Sequence, residues 1–342
     1  MPAGAAPPRT FDDIRNLVHD LPAADDAALA AARDRESQLT KPAGALGRLE
    51  DIAAWLSAWQ GHHPPTLTLA QALIFAGNHG VTAQGISAFP SEVTVQMVAN
   101  FAAGGAAINQ LARAYGADLG VIPLDLDRPT ADFTTAPAMS EDECMVAFAA
   151  GWEAVRAEAD IVLVGEMGIG NTTSAAALCR LLLGGTSADW AGPGTGLDNA
   201  GVSRKIEVID RAIDRHAAET TDSLDALRRV GGRELAAIAG AVLAARYART
   251  PVILDGYVAT AAAAVLHGLD AGALDHCIAG HVSAEPGHVR VLAALGQEPL
   301  ISLGMRLGEG SGAAVALGIV RGAVAAHTGL ATFAEAGVSE KD

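Results

Sequence analysis

One carboxylate, Glu309, stands among glycines in the stretch GMRLGEGSGAAVALG, residues 304–318, directly before a run of small apolar residues that predicts a helix. An acid at a helix start contributes only about 0.3–1 kcal/mol through the helix dipole, and Ser311 could cap this helix instead. The flanking glycines let a ligand approach the carboxylate closely. We therefore interpret Glu309 as a catalytic residue rather than a helix cap.

A second stretch, GEMGIGNTTS, joins a predicted strand to a helix that Thr172 or Thr173 is expected to cap. Backbone N–H groups at such a helix start form a natural anion site. The stretch lacks the GxGxxG spacing of a dinucleotide-binding turn, and glycine-rich turns can also serve packing alone. Glu166 in mid-loop favours function, because a carboxylate beside an anion-binding turn is a poor choice for structure.

The third candidate is GPGTG, followed nine residues later by Lys205. Glycines and a lysine can form a phosphate cradle in which the lysine acts as a point charge. The spacing is not that of a GxxxxGK[ST] loop, which argues against hydrolysis of a nucleoside triphosphate. The alternative is a flexible surface loop with a solvated lysine.

Other polar residues at predicted strand ends carry weaker signals. The stretch TPVILDGYVATAA has only Asp255 where a diphosphoribosyl-binding signature has two adjacent acids, which weakens the case for a magnesium-diphosphate substrate. His79, His281 and His288 lack HxH or HExxH spacing, so hydrogen-bonding roles are favoured over metal ligation. We therefore expect activity to need no divalent metal and no cofactor.

Composition and charge narrow the class of protein. Half of the 342 residues are hydrophobic, 38 are glycine and only 4% are aromatic, a profile typical of a compact α/β enzyme. The formal charge of -16 opposes binding to nucleic acid or anionic membranes. No apolar stretch reaches the ~20 residues needed to span a bilayer, and no secretory signal is visible. Three scattered cysteines, Cys144, Cys179 and Cys277, fit a disulfide-free cytoplasmic protein.

Six short apolar runs suit buried parallel strands, and longer helix-like segments separate them. Six strands alternating with helices predict a doubly wound parallel sheet, in which ligands bind beyond the carboxyl ends of the strands. The residues after these runs are polar and rich in glycine. The six runs are QALIFAG, DLGVIPL, DIVLVGE, TPVILDG, DHCIAGH and PLISLGM.

Both ends of the chain are predicted to be helical. Residues 10–60 place apolar side chains at helical spacing, and the chain is helical again from Ser311. We expect a small helical domain built from residues 1–65 and 311–342 and an α/β catalytic domain at 66–310.

Seven motifs, in this order, carry a resemblance to a known family. They are KPAGALGRLE, GNHGVTAQGISAFPSEVTVQMV, GEMGIGNTT, GPGTGLDNAGVSRK, LDGYVATAAA, HVSAEPGH and LGMRLGEGSGAA. Together they resemble the nicotinate-nucleotide:dimethylbenzimidazole phosphoribosyltransferases of cobamide synthesis, from about residue 41 to 314. One small departure is Ala45, where the family often has serine.

The resemblance implies specific roles. Glu309 matches the family's catalytic base, and Ser87, Gln96 and Leu307 match positions near the incoming base. The phosphate- and nucleotide-binding positions are matched by Glu166, Gly168, Gly194, Thr195, Lys205 and Ser283.

The resemblance also implies the reaction and the architecture. The enzyme transfers 5-phosphoribosyl from nicotinate mononucleotide to a benzimidazole, without metal or cofactor. Its large domain is Rossmann-like, its small domain comes from both termini, and it is a homodimer.

Two other interpretations compete with this one. An NAD-dependent dehydrogenase predicts GxGxxG after the first strand, which GNHGVTAQG does not supply. A non-catalytic nucleotide sensor explains phosphate loops but not Glu309. The sequence leaves open whether burial raises the pKa of Glu309 or the helix dipole lowers it.

Overall fold

A parallel β-sheet forms the centre of the computed structural model, which describes residues 6–339. The strand order is β2-β1-β3-β4-β5, and every neighbouring pair is parallel. This confirms the predicted doubly wound parallel architecture. The strands are β1 (Ala70–Ala76), β2 (Ala117–Pro123), β3 (Ile161–Met167), β4 (Val252–Leu254) and β5 (Cys277–Ala279).

The prediction of about six strands is one too many. The sixth run, PLISLGM, forms only an isolated parallel bridge between Ile301 and His281. Beyond that bridge Leu303 is 64% exposed, and Gly304 turns the chain away with a φ of 68°. The run therefore follows the end of β5 briefly and then leaves the sheet to form the loop before Glu309.

Strands β1, β3 and β4 are buried on both faces because their side chains alternate between two cores, whereas the edge strand β2 is only partly buried. In β1, Leu73 and Phe75 pack on one side of the sheet, whereas Ala72 and Ile74 pack on the other. Helices supply the rest of each core. This arrangement explains why the strands form continuous apolar runs in the sequence.

The predicted N-terminal helices are present as α1 to α3. Short 3₁₀ turns cover Gly80–Gln84, Ala217–Glu219 and Ala271–Leu274. The helices are α1 (Phe11–His19), α2 (Asp26–Gln38), α3 (Arg48–Gln60), α4 (Glu92–Ala102), α5 (Ala107–Tyr115), α6 (Glu141–Ala154), α7 (Asn171–Leu183), α8 (Ser187–Trp190), α9 (Asn199–His216), α10 (Ser223–Val230), α11 (Arg233–Ala248), α12 (Tyr257–His267), α13 (Pro286–Ala294), α14 (Ser311–Gly329) and α15 (Phe333–Ala336).

The C-terminal helix α14 packs against α3 and α5, and its buried face joins the core on one side of the sheet. Among the described helices it alone is long and apolar enough to cross a membrane by length and composition. Its packing is that of a core helix, so it gives no evidence for a membrane span. The division at residues 65 and 310 stays a prediction, and residues 1–5 and 340–342 of the expected small domain lie outside the described chain.

Candidate active site

A cavity opens beyond the carboxyl ends of β3, β4 and β5, as the doubly wound topology predicts. Its walls come from the loops after these strands, from the glycine loop before α9 and from the loop before α14. Six of the predicted site residues line it, and they are Glu166, Gly168, Gly194, Thr195, Ser283 and Leu307. Sequence motifs more than a hundred residues apart therefore meet in one place.

The start of α14 is capped by neither Glu309 nor Ser311. The carboxylate of Asp255, at the end of β4, accepts hydrogen bonds from Gly310 N at 3.0 Å and Ala313 N at 2.9 Å. Ser311 instead donates its hydroxyl to Gly308 O at 2.7 Å. Because Asp255 satisfies the helix N-terminus, the Glu309 carboxylate is not needed there.

Glu309 lies in the turn before α14, beside the cavity-lining Gly308, and its backbone has a left-handed φ of 60°. Its side chain is only 6% exposed. Among the described residues no hydrogen bond or ion pair engages its carboxylate. Burial, followed by the nearby charge of Asp255, raises the pKa of Glu309 to about 7. Of the two opposing effects that the sequence left open, burial prevails.

Glu166 ends β3 and faces the same region. The predicted caps of α7 are wrong: Gly170, in a left-handed conformation, precedes the helix, and neither Thr172 nor Thr173 caps it. Asn171 instead donates its side-chain amide to Glu166. Burial raises the pKa of Glu166 to about 8, and the charges of Asp255, Glu234 and Glu309 add to the rise. The hydrogen bond from Asn171 acts in the other direction and lowers the pKa.

Gly308 shows why glycines flank the catalytic candidate. A Cβ added there would lie 2.5 Å from Oε1 of Glu166, and the residue has a φ of 79°. Only glycine permits this close approach with this backbone. The GEGSG pattern thus brings the loops that carry Glu166 and Glu309 into contact, and Glu309 N donates to Glu166 O at 3.2 Å.

Lys205 lies on α9 and is only 1% exposed, so the alternative of a solvated lysine on a surface loop is wrong. Its ammonium donates to Thr172 Oγ1 at 2.9 Å and to Gly192 O at 3.0 Å. Burial lowers its pKa to about 8, and the charge of Glu285 opposes that fall. The lysine therefore sits behind the glycine loop, within reach of its backbone.

Two residues that sequence reasoning did not single out hold the glycine loop from the other side. Glu285 accepts from Gly194 N at 2.9 Å, and Arg306 donates to Gly194 O at 3.0 Å. Both line the cavity. Their signal was available, because each lies inside a quoted motif, HVSAEPGH or LGMRLGEG.

The strand-end histidines divide into two kinds. His79 bonds Glu234 at 2.5 Å and Ser174 at 3.0 Å, and His288 bonds Thr260 at 3.0 Å and accepts from Ser283 N at 2.8 Å. These are the expected hydrogen-bonding roles. His281 lines the cavity and is 1% exposed, yet neither ring nitrogen has a hydrogen-bond partner among the residues that the structure describes. Within residues 6–339 no three metal-ligating side chains cluster.

Of the three residues predicted to bind the incoming base, only one lies in the cavity wall. Leu307 lines the cavity and is 54% exposed. Ser87 accepts a hydrogen bond from Phe89 N at 3.2 Å, and Gln96 is exposed on α4. Neither lies in the cavity wall. Their segment reaches the cavity through Thr94, whose hydroxyl accepts from Ile169 N at 3.2 Å.

Comparison with known proteins shows that the chain is similar to phosphoribosyltransferases. A family model described as Phosphoribosyltransferase matches residues 21–338. A nicotinate-nucleotide–dimethylbenzimidazole phosphoribosyltransferase of Mesorhizobium japonicum is 59% identical over 335 residues, covering 98% of this chain and 100% of the relative. One of Cereibacter sphaeroides is 58% identical over 335 residues, covering 98% of this chain and 99% of the relative.

A solved structure agrees with these relatives. The crystal structure of CobT from Thermus thermophilus superposes with a TM-score of 0.87 at 42% identity, covering 92% of this chain and 100% of that one. The shared fold extends over nearly the whole molecule. The chain therefore belongs to the nicotinate-nucleotide–dimethylbenzimidazole phosphoribosyltransferase family.

Proposed function

We propose that this enzyme transfers 5-phosphoribosyl from nicotinate mononucleotide to 5,6-dimethylbenzimidazole or a related azole. The products are α-ribazole 5′-phosphate and nicotinate, in the synthesis of the cobalamin nucleotide loop. The observation that carries the proposal is the Glu309 carboxylate, which is buried beside the cavity, has no hydrogen-bond donor within residues 6–339, and has a pKa raised to about 7. A general base works best when its pKa lies near the working pH.

The reaction needs one proton acceptor. Nicotinate mononucleotide is a pyridinium glycoside, so the ring nitrogen takes the bonding electron pair and leaves neutral, without a general acid. The azole nitrogen forms the new bond to C1′ from the opposite face, which inverts the β-nucleotide to an α-riboside. The azole N–H proton passes to Glu309, and such proton transfer contributes about 10²–10⁴ in rate. The transition state has oxocarbenium character, as in glycoside cleavage.

The phosphate of the donor is assigned to the glycine-loop side of the cavity. The phosphate can approach the backbone closely at three residues of the cavity wall, Gly168, Gly194 and Thr195. The Ser283 hydroxyl can donate a hydrogen bond to an anion there. Lys205 and Arg306 supply positive charge on either side of this loop, against one carboxylate, Glu285. Charge-assisted hydrogen bonds of this kind are the strong ones for an anionic group.

Glu166 is assigned to the nucleotide pocket, and the azole is assigned to the part of the cavity wall that Leu307 forms. Ser87 and Gln96 complete this subsite in the proposal, although in this structure both stand outside the cavity wall. Their contact with the azole requires α4 and the segment that precedes it to approach the cavity more closely.

The quaternary structure and location are also proposals. We propose a homodimer, because eight large apolar side chains are exposed in the described chain and such side chains can form contact surfaces. Among them are Phe89, Val95, Leu303 and Leu307, at 49%, 47%, 64% and 54% exposure. We propose a cytoplasmic location because the three cysteines are free. Analytical ultracentrifugation tests the homodimer, and a monomer at micromolar concentration contradicts it.

The catalytic proposal is tested by incubating purified protein with nicotinate mononucleotide and a panel of benzimidazoles and purines. We expect free nicotinate and a phosphoribosyl azole, identified by mass spectrometry, with the α configuration at C1′ in its NMR spectrum. Binding of the donor without turnover would favour a nucleotide sensor instead. Hydride transfer with NAD would favour a dehydrogenase.

A further inference from the structure

Asp255 is the residue whose position most directly determines where Glu309 lies. It follows β4, is 1% exposed, and uses both carboxylate oxygens on the start of α14. One oxygen accepts from the residue immediately after Glu309, and the other from Ala313 in the first helical turn. A carboxylate that accepts from two backbone N–H groups fits these contacts in its ionised form, which has no proton to donate.

The backbone at Glu309 needs such support. Non-glycine residues adopt a left-handed φ uncommonly, and they persist there when the surroundings hold them. Glu309 has a φ of 60°, and Gly310, whose N–H is bound by Asp255, has a φ of 74°. The bond to Gly310 therefore fixes the turn that presents the Glu309 side chain.

The ionisable groups around this turn come from each neighbouring element. Glu166 faces it from the end of β3, with Glu234 of α11 beyond it. His281, after β5, has its Nε2 at 3.8 Å from Asp255 Oδ1, and His288 lies behind His281. Burial raises the pKa of Asp255, and His281 together with the backbone N–H groups opposes the rise. Asp255 is also the group whose charge acts on Glu309.

We propose that Asp255 is a positioning residue for the transfer reaction, which clamps the turn before α14 and holds Glu309 in the geometry and charge environment of a base. The proposal rests on the function proposed for Glu309. It differs from a capping role, because a cap alone would affect stability and leave the chemistry of Glu309 unchanged. Asp255 itself accepts no proton from substrate.

The test compares Asp255→Asn with a matched capping variant, Asp25→Asn. The asparagine in the first variant keeps the side-chain shape but loses the negative charge and one acceptor. Asp25 caps α2 by accepting from Ala28 N at 2.9 Å and lies on a different helix from Glu309. Thermal unfolding and the pH profile of kcat are measured for both variants and the wild type.

We expect Asp255→Asn to lower kcat at its optimum by roughly 10–10²-fold, because the base is misplaced. The acid limb of its kcat profile should move to lower pH by about 1 unit, because a neighbouring negative charge no longer disfavours ionised Glu309. Asp25→Asn should leave the limb in place. An unmoved limb in Asp255→Asn, with only a lower melting temperature, would overturn the proposal. Absence of turnover in the wild type would instead count against the proposed function.

A second measurement decides the matter if Asp255→Asn does not fold, and it requires no turnover. The ¹³C carboxyl resonance of Glu309 in the wild type is assigned by its loss in Glu309→Gln and titrated. The same titration is run in Glu166→Gln, because Glu166 also interacts with Glu309. We expect a midpoint above the ordinary value of 4.5 and a second inflection that remains in Glu166→Gln and is therefore assigned to Asp255. A single inflection in Glu166→Gln would show that Glu309 and Asp255 are not coupled, and would overturn the proposal.

Discussion

Carboxylates shielded partly or fully from solvent occur in two regions of this molecule, and their partners differ between the two regions. In the helical region, Lys41 bonds both Glu36 at 2.9 Å and Glu50 at 2.7 Å. His327 of α14 bonds the other oxygen of Glu36 at 2.6 Å and contacts His63 at 3.0 Å. We call these residues the Lys41 network. It ties α2, α3 and α14 together.

At the ends of β3 and β4, by contrast, Glu166, Asp255 and Glu309 lie close together, and the charge of Asp255 raises the pKa of both glutamates. We call these three the strand-edge carboxylates. Backbone or amide N–H groups engage two of them, and in the described chain no lysine or arginine forms an ion pair with any of the three.

The pKa shifts express the difference. Burial alone would lower the pKa of Lys41, but its hydrogen bonds to Glu50 and Glu36 raise it. Burial would raise the pKa of Glu50, but Lys41 and Leu46 N lower it. For Glu309 nothing compensates burial, and the pKa rises to about 7. Paired charges serve the fold, whereas unpaired carboxylates at a cavity indicate chemistry.

The largest effect should follow the loss of the proton acceptor. Glu309→Gln keeps size and hydrogen bonding, and we expect kcat to fall roughly 10²–10⁴-fold. Melting temperature should not fall, because Asp255 caps α14 without help from Glu309. Glu158→Gln, which neutralises an exposed carboxylate, is the control. Near-normal turnover under chemistry-limited conditions would contradict the catalytic assignment.

The sequence could predict that Glu309 lies at the carboxyl edge of the sheet, but it could not predict the contacts of its neighbour Asp255, and the reason is physical. Glycine flanks and position after the last strand are local signals, so they are visible in the chain. Asp255 looked weak because it lacks a second adjacent acid. Its actual partners, Gly310 and Ala313, lie more than fifty residues away, and only the closing of the sheet brings them together.

The same limit explains the errors in the fold. Strands β1 to β5 were predicted because the strands of a covered parallel sheet are largely apolar. The run at 299–305 has the same composition, and Leu300 and Ile301 bond the backbone at the end of β5. The pairing does not continue as a strand, because the only bridge in this run is at Ile301. The expected threonine caps of α7 failed because Gly170 makes the turn by its left-handed backbone.

In the Lys41 network, the main effect of breaking a pair should be on stability. Lys41→Met leaves the partly buried Glu36 and Glu50 without this ammonium, and we expect the free energy of unfolding to fall by about 1–2 kcal/mol. Adding Glu36→Gln and Glu50→Gln should restore part of the loss, because the uncompensated charges are gone. Urea unfolding measures both variants. Unchanged stability in Lys41→Met would remove the contrast between the two regions.

At the glycine loop, Lys205→Met should weaken donor binding. A hydrogen bond to a charged group contributes about 1.5–3 kcal/mol, so KM for nicotinate mononucleotide should rise by roughly 10–100-fold. Uniform binding of ground and transition state leaves kcat largely unchanged. Arg215→Met, which removes an exposed charge from the same helix, should leave KM unaltered. An unchanged KM in Lys205→Met would show that the phosphate is assigned to the wrong side.

Another effect concerns stability and pH. The folded protein holds the Glu309 proton up to about pH 7, whereas the unfolded chain releases it near 4.5. This contribution to stability is therefore present below pH 4.5 and is lost as pH rises through 7. Glu309→Gln has no carboxyl to ionise, so its stability does not fall as pH rises through 7. The variant should therefore be more stable than the wild type at pH 8 by about 1–3 kcal/mol and similar to it at pH 4.5. Equal stability at both values would argue against a raised pKa.

The most direct test of whether the unpaired Glu309 carboxylate acts as a base is the pH profile of the single-turnover rate constant. We expect the wild-type rate to fall below an acid limb near pH 7, where Glu309 becomes protonated. The residual rate of Glu309→Gln should show no such limb. A wild-type profile that is flat from about pH 5 to 8, or a limb that persists unchanged in Glu309→Gln, would contradict the account.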